Sequence, residues 1–323
     1  MLQKTKIAAI VGPTAVGKTA LSISLAERFG GEIISCDSMQ IYRYMDIGTA
    51  KPTLAEREGI PHHMMDIITP DKDFSCTDYS SLAAEKVKDV VGRGKFPIFC
   101  GGTGLYLDSV IRGVRDDSAY EDPAFREKMQ DIAAGEGNEH LHTMLREIDP
   151  ISADAIHPNN VKRVIRALEV YHTSGKTKTE LDEISVSRES EYEPLIIGLR
   201  CDDRDLLYER INLRVDIMLR DGLLDEVKAL LDMGYLDSKT TAGQAIGYKE
   251  LVGYFRGDKS LDDAIEEIKM SSRRYAKRQM TWFNSKKNVK WISIDDDHQI
   301  KTFEEIVNNG EKLFENFFFC DII

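Results

Sequence analysis

No stretch of this chain approaches the ~20 consecutive apolar residues that a membrane-spanning helix requires, so a helical membrane protein is excluded. Cysteine is sparse: Cys36, Cys76, Cys100, Cys201 and Cys320 are scattered, odd in number, and never spaced C-x-x-C. That pattern argues against a disulfide framework and a zinc site, both of which need set spacings, and free thiols in a reducing cytosol are expected. Internal repeats and low-complexity tracts are also missing. The first apolar run begins within a few residues of the start, so no signal peptide is expected and a cytoplasmic location follows. Positive charge is in deficit, with a formal net charge of −12, which argues against a protein that coats nucleic acid.

The deficit is unevenly spread. Between Lys269 and Lys290 lie Lys269, Arg273, Arg274, Lys277, Arg278, Lys286, Lys287 and Lys290, and no acid. The rest of the chain is therefore more acidic than the whole. Such segregation points to one cationic face on an acidic body, where a polyanion docks while binding elsewhere stays weak. Tyr275, Trp282 and Phe283 are interleaved with these cations. Cations bind phosphates and aromatic faces stack on bases. The same pattern also describes an amphipathic helix, and Trp282 and Phe283 are expected to be at least partly in the core.

The most specific local signal is Gly12-Pro13-Thr14-Ala15-Val16-Gly17-Lys18-Thr19, a G-x-x-x-x-G-K-T phosphate-binding loop. It follows the apolar run Ile7–Val11 and precedes a helical pattern of Leu21, Ile23, Leu25, Ala26 and Phe29. In that context the glycines let backbone N–H groups close on phosphate oxygens. The helix N-terminus and Lys18 add positive potential, and the Thr19 hydroxyl is placed to hold Mg2+.

A length of 323 residues fits roughly two domains at about 150 residues each. Apolar, β-branched runs at Lys6–Val11, Glu32–Cys36, Phe96–Cys100, Leu195–Leu199 and Val289–Ile294 alternate with helical patterns. The fold class is therefore α/β: a P-loop NTPase-like parallel sheet flanked by helices. Between about Asp116 and Glu191 no strand is legible. Helices are expected to start at Asp122-Pro123, at Asn138 and at Pro158-Asn159, followed by a polar, turn-rich stretch from Ser174 to Ser190. The organisation is then a first core part (1–115), an all-helical insertion (116–191) and a core completion (192–323). That last part should carry helices at about Arg204–Arg220, Leu223–Met233, Thr241–Phe255 and Leu261–Ser285.

Ligands of parallel α/β sheets bind beyond the carboxyl ends of the strands. Besides the phosphate loop, this selects Asp37-Ser38-Met39-Gln40 and Gly101-Gly102-Thr103-Gly104-Leu105-Tyr106. Asp37 can hold a metal-bound water or accept a proton, and the Thr103 hydroxyl can donate to a phosphate; either residue can instead be a plain helix N-cap. The strand ending at Cys100 lacks the acid expected of a nucleotide-hydrolysing site. His62 and His63 read as a loop-bound, hydrogen-bonded structural pair. Lys162, Arg163 and Arg166 line the polar side of one helix, as a solvated face or an RNA contact. These features describe a P-loop enzyme acting on a phosphorylated small molecule, with an RNA-binding face open. They do not separate an ATP-dependent small-molecule kinase from a transferase that consumes a diphosphate.

Taken together with Asp46–Pro52, Pro61-His62-His63, Arg163–Glu169, Gln244–Glu250 and Arg278–Phe283, the segments span nearly the whole chain. In combination they resemble one family, the tRNA dimethylallyltransferases (tRNA isopentenyltransferases), in its bacterial form without a C-terminal zinc finger. The resemblance implies transfer of a dimethylallyl group from dimethylallyl diphosphate to N6 of the adenosine 3′ of the anticodon in tRNA. It implies that Gly12–Thr19 and Arg214 grip the diphosphate, with Mg2+ on Thr19. By the same resemblance Asp37 is the general base and Thr103 binds near the leaving oxygen. Asp37, Ser38, Met39 and Gln40 would meet the base. Arg126, Lys162, Arg163, Arg166, Gln244, Gly247, Tyr248, Lys249, Arg273, Arg274, Lys277 and Arg278 would meet the tRNA, and the insertion would take the anticodon stem-loop. A monomer is expected.

Overall fold

The computed structural model describes residues 4–113, 120–186 and 189–320. The chain divides into two compact units, one formed by Met1–Ile111 with Glu191–Ile323 and the other by Arg112–Ser190. The expected boundary at 115/116 lies outside the described residues.

The first unit is built on a six-stranded sheet. Its strands are β1 (Thr5–Val11), β2 (Gly31–Ser35), β3 (His62–His63), β4 (Phe96–Cys100), β5 (Tyr192–Arg200) and β6 (Val289–Ser293). Their order is β3-β2-β4-β1-β5-β6 and every pairing is parallel. Strand side chains alternate between faces, and β1 shows what that requires. Ala8 and Ile10 enter one core with Leu21 and Leu25 of α1 (Lys18–Phe29) and Phe314 of α13 (Phe303–Phe318). Ile7, Ala9 and Val11 enter a second core with Tyr79 of α2 (Cys76–Gly92) and Leu107 of α3 (Gly104–Arg112). A strand covered on both sides has no polar face, which is why these runs are continuously apolar.

A third core supports the loop after β2. Ile41, Tyr42 and Met45 are buried among Val215 of α9 (Arg204–Arg220), Leu223 and Val227 of α10 (Leu223–Asp232), Tyr248 and Leu251 of α11 (Tyr248–Phe255), and Ile268 of α12 (Leu261–Asn284). The C-terminal helices thus hold a segment from the first quarter of the chain.

The second unit, among its described residues, is all helical: α4 (Pro123–Glu136), α5 (Asn138–Ile148), α6 (Pro150–Ala155), α7 (Val161–Ser174) and α8 (Lys178–Val186). Met129, Leu141, Leu145, Val164, Ile165 and Leu168 form its core. At its centre Glu169, fully buried, accepts from the Asp122 N–H at 2.7 Å and from Arg166 at 2.5 Å. Arg126 Nε lies 2.7 Å from the same carboxylate.

Three details differ from the sequence reading. His62 and His63 are not loop residues but an edge strand, paired with Ile33 and Ile34. Their hydrogen bonding is as expected of a structural pair: His63 Nε2 lies 2.7 Å from Glu32 and His62 Nδ1 2.8 Å from the Ile60 carbonyl. The stretch from Ser174 holds α8, started by a capping box in which Glu180 accepts from the Thr177 N–H at 2.7 Å and Thr177 accepts from the Glu180 N–H at 3.1 Å. The helix expected over Thr241–Phe255 is broken: a 3-10 turn at Ala242–Gln244 gives way to Gly247 at φ 94°, and α11 begins after it.

Burial raises the Glu169 pKa, but the Asp122 N–H and the Arg126 and Arg166 side chains outweigh it and hold the carboxyl below its ordinary value. A depressed carboxyl stabilises the fold above its unfolded pKa and ceases to as pH falls through the folded value. Glu169→Ala strands two arginines and is expected to cost about 3–5 kcal/mol. Trp282 and Trp291 lie outside the helical unit, so hydrogen exchange over 123–174 is the measurement. Protection there should fall in the variant, and in the wild type on acidification, while β1 stays protected.

Candidate active site

Because β2, β4 and β1 are neighbours and parallel, the loops that follow them, 36–40, 101–103 and 12–17, emerge together at the carboxyl end of the sheet. The phosphate loop is shaped by close approach. At Gly12, φ +136°, a Cβ would lie 2.2 Å from the Leu199 carbonyl oxygen. Val16 is buried in the first core and anchors the loop's far side. Lys18 Nζ donates to the Pro13 carbonyl at 2.6 Å, and Arg210 Nε of α9 donates to the Ala15 carbonyl at 2.8 Å. Thr14 does not leave its N–H free for a ligand: Gln279 Oε1 of α12 accepts it at 3.0 Å.

The other two loops are tied together. The Asp37 carboxylate accepts from the Met39 N–H at 2.9 Å. This is a turn stabilised by its own aspartate and not a helix N-cap. Thr103 precedes α3, yet its hydroxyl accepts from the Ser38 N–H at 3.1 Å instead of capping the helix, and its N–H donates to the Cys36 carbonyl at 3.1 Å. Tyr275 of α12 borders the same group: burial pushes its pKa up to about 12, the Asp37 charge adds to this, and Thr103 opposes it.

Electrostatics give the site its character. Burial lowers the Lys18 pKa to about 8; Cys100 opposes that, Arg214 reinforces it and Asp37 opposes it. Burial also lowers Arg214, against the pull of Asp37 and Glu56. The Arg214 guanidinium makes no hydrogen bond or ion pair to any described residue. Two desolvated cations beside one carboxylate leave the site short of negative charge, which an anionic ligand supplies.

Residues expected to meet tRNA fall into three groups. Lys162, Arg163, Lys249, Arg274, Lys277 and Arg278 are exposed. Gln244 is exposed too, with its amide donating to the Ser238 carbonyl at 2.7 Å. A second group is engaged inside the protein. Arg126 and Arg166 neutralise Glu169, and Arg273 donates to Asn212 at 2.6 Å. Gln40 accepts from Ser35 at 2.8 Å and donates to the Thr49 and Ala50 carbonyls at 3.3 Å, so its amide braces a loop. The third group is buried. Tyr248 has no exposed surface and donates to Glu226 at 2.6 Å, and the Gly247 N–H is taken by Glu250 at 2.9 Å. Glu226 also accepts from the N–H groups of Asp46, Ile47 and Gly48 at 2.8–3.1 Å.

Gln279, Arg210 and Glu226 were not assigned site roles from the sequence. Arg210 lies one helical turn before Arg214, a spacing that puts both on one face. Gln279 sits inside the Arg278–Phe283 segment. Glu226 carries no local signal, because its main-chain partners lie about 180 residues away in sequence.

A lysine whose pKa is lowered to about 8 is charged below that pH and neutral above it. Binding of inorganic diphosphate is therefore expected to weaken as pH rises through about 8, with proton uptake on binding, measurable by calorimetry in two buffers. Lys18→Met should lower affinity by about 10- to 100-fold at neutral pH, the worth of a charge-assisted contact, and abolish that pH dependence.

The family profile described as IPP transferase matches residues 40–286. The tRNA dimethylallyltransferase of Bacillus subtilis (strain 168) is 51% identical over 313 residues, covering 96% of this chain and 98% of that one. That of Thermoanaerobacter sp. (strain X514) is 48% identical over 305 residues, 94% and 96% of the two chains. Among solved structures, the full-length tRNA isopentenylpyrophosphate transferase of Bacillus halodurans aligns with TM-score 0.71 at 43% identity, covering 97% of this chain and 98% of that one. A eukaryotic dimethylallyltransferase acting on tRNA aligns with TM-score 0.80 at 32% identity, covering 97% and 80%. The P-loop, the parallel sheet and these likenesses agree, and the chain belongs to the IPP transferase family.

Proposed function

We propose that this chain is a tRNA dimethylallyltransferase that moves the dimethylallyl group of dimethylallyl diphosphate to N6 of the adenosine 3′ of the anticodon, releasing diphosphate. The observation that carries the reading is Arg214 beside Lys18 and Asp37 at the phosphate loop, its guanidinium bonded to no described residue, in a chain of the IPP transferase family. The kinase alternative has no comparable support: β4 ends in Cys100, not in an acid, and no relative named above is a kinase.

The chemistry asks for such an arrangement. The exocyclic amine of adenine is a weak nucleophile because its lone pair is delocalised, so the leaving group must depart readily. Lys18, Arg214 and the N-terminus of α1 absorb charge on the diphosphate as the C–O bond breaks. Thr103 donates to the leaving oxygen, and Asp37 takes the surplus proton as the C–N bond forms. Mg2+ suits the donor set. The Thr19 hydroxyl is a hard oxygen donor that would hold it together with the oxygens of the diphosphate, and the described residues hold no cluster of three acids, histidines or cysteines that would cage a metal alone. When bound with the substrate it supplies further charge neutralisation.

The target amine is inaccessible in a stacked anticodon loop, so the adenosine is turned out to reach Asp37. Exposed Arg274, Lys277 and Arg278 on α12 hold tRNA phosphates, and Lys162 and Arg163, exposed on α7 within the helical unit, are suited to the same kind of contact. No described helix is long and apolar enough to cross a membrane, and the reading has the enzyme acting as a cytoplasmic monomer.

Labelled dimethylallyl diphosphate incubated with the protein and unmodified tRNA should place label in the RNA. Label-free RNA together with ATP-dependent phosphorylation of a small molecule would sink the proposal. Asp37→Ala is expected to lower turnover by at least about 100-fold with tRNA affinity nearly unchanged; near-normal turnover would remove Asp37 from the mechanism. tRNA binding should weaken steeply with added salt, as counterion release demands.

A further inference from the structure

Gln279 is a polar side chain in the interior, 5% exposed, and both ends of its amide are used. Oε1 accepts from the Thr14 N–H at 3.0 Å and Nε2 donates to the Gly102 carbonyl at 3.1 Å. The two partners are main-chain groups, one a donor and one an acceptor, so they fix which way round the amide lies. At Gly102 a Cβ would come within 1.9 Å of Nε2, so this close approach requires glycine. The connection continues: Thr103, next along, accepts from Ser38 and donates to Cys36, and Ser38 adjoins Asp37. Just before it on α12 lie Arg274, Lys277 and Arg278, all exposed.

We infer that Gln279 is a positioning residue that fixes the phosphate loop against the Gly101–Thr103 turn, and through Thr103 against Asp37. It sets the register between the diphosphate and the groups that act on the incoming amine. Because it rides on the helix that presents the basic side chains, RNA bound there is aligned with the donor by one amide. This inference rests on the proposed function for its chemistry, and on the two hydrogen bonds alone for its geometry.

The test uses the full-length chain with Gln279→Met, which keeps length and loses both bonds, and Gln279→Glu. A glutamate keeps the acceptor for Thr14 but sets an oxygen against the Gly102 carbonyl unless it is protonated. Thermal melts establish folding. Affinity for inorganic diphosphate is titrated, and transfer to tRNA is followed against pH. Gln279→Met is expected to bind diphosphate about ten-fold more weakly, the loss of two hydrogen bonds, and to lose kcat while tRNA affinity holds. In Gln279→Glu, activity relative to wild type should climb as pH falls, a profile that loss of packing does not produce. If Gln279→Met does not fold, the Gln279→Glu pH profile decides alone. A lower melting temperature with diphosphate affinity, kcat and pH profile matching wild type would overturn the inference. Failure of the wild type to prenylate tRNA would sink the proposed function instead, and the diphosphate titrations would still decide the role of Gln279.

Discussion

The site depends on two like charges, both half-buried, held beside one carboxylate. Lys18 and Arg214 each lose hydration on folding, and Arg214 further disfavours the charged form of Lys18. Asp37 compensates only in part. Such a pair is unfavourable in the empty protein and favourable once an anion arrives, because the same low-dielectric surroundings that penalise the cations strengthen their attraction to a ligand. The folded chain thus carries a built-in preference for a polyanionic tail, and that preference requires a scaffold rigid enough to keep the cations from relaxing into solvent.

The scaffold supplies that rigidity from both ends of the chain. The three loops come from the first third, on adjacent parallel strands. The side chains that hold them come from α9 and α12. Arg210 and Gln279 each grip a main-chain group of the phosphate loop, and Arg214 reaches the same site from one turn further along α9. β1 pairs with β5 along its whole length, from Thr5 opposite Tyr192 to Val11 opposite Gly198. The first unit therefore closes around its central strand even though residues 112–190 are interposed in the sequence. A site split this way is assembled only when the unit is complete.

What the sequence revealed and what it hid follow from the range of the interactions. The phosphate loop, the five longer strands and the starts of α4 and α5 rest on local rules of glycine placement, apolar runs and capping, and all are where those rules put them. β3 escaped because two histidines carry no β signal; their strand exists because β2 offers a free edge and Glu32 a partner. α8 escaped because its polar composition hid the Thr177–Glu180 capping box. Basic residues misled for a related reason. Arg166 read as part of a polar helix stripe with Lys162 and Arg163, and Arg126 as a tRNA contact only through the resemblance, but a buried glutamate on the same unit engages both arginines. Tyr248 and Gln40 sit in segments carrying the family resemblance, yet their hydrogen bonds are spent on Glu226, Ser35 and two carbonyls. A segment's similarity marks a place of constraint without saying whether the constraint is a ligand or a loop.

The same accounting changes the meaning of the cationic segment. Of its eight basic residues, Lys269 pairs with Asp216, Lys286 with Asp108, and Arg273 with Asn212. Arg278 lies over the Tyr275 ring, 5.5 Å from its centre, which leaves its charge outward while the aromatic borders Thr103 and Asp37. Arg274, Lys277, Arg278, Lys287 and Lys290 therefore remain exposed for RNA on a chain whose net charge is −12. Repulsion from the acidic remainder opposes any phosphate backbone that is not seated on them. Phosphate contacts on those cations supply affinity but carry no sequence information, so on the proposed reading discrimination falls to the fit of one extruded base against the turn braced by Thr103 and Ser38. On that reading the bracing of this turn, more than the abundance of lysine and arginine, is what the fold contributes toward choosing an adenosine.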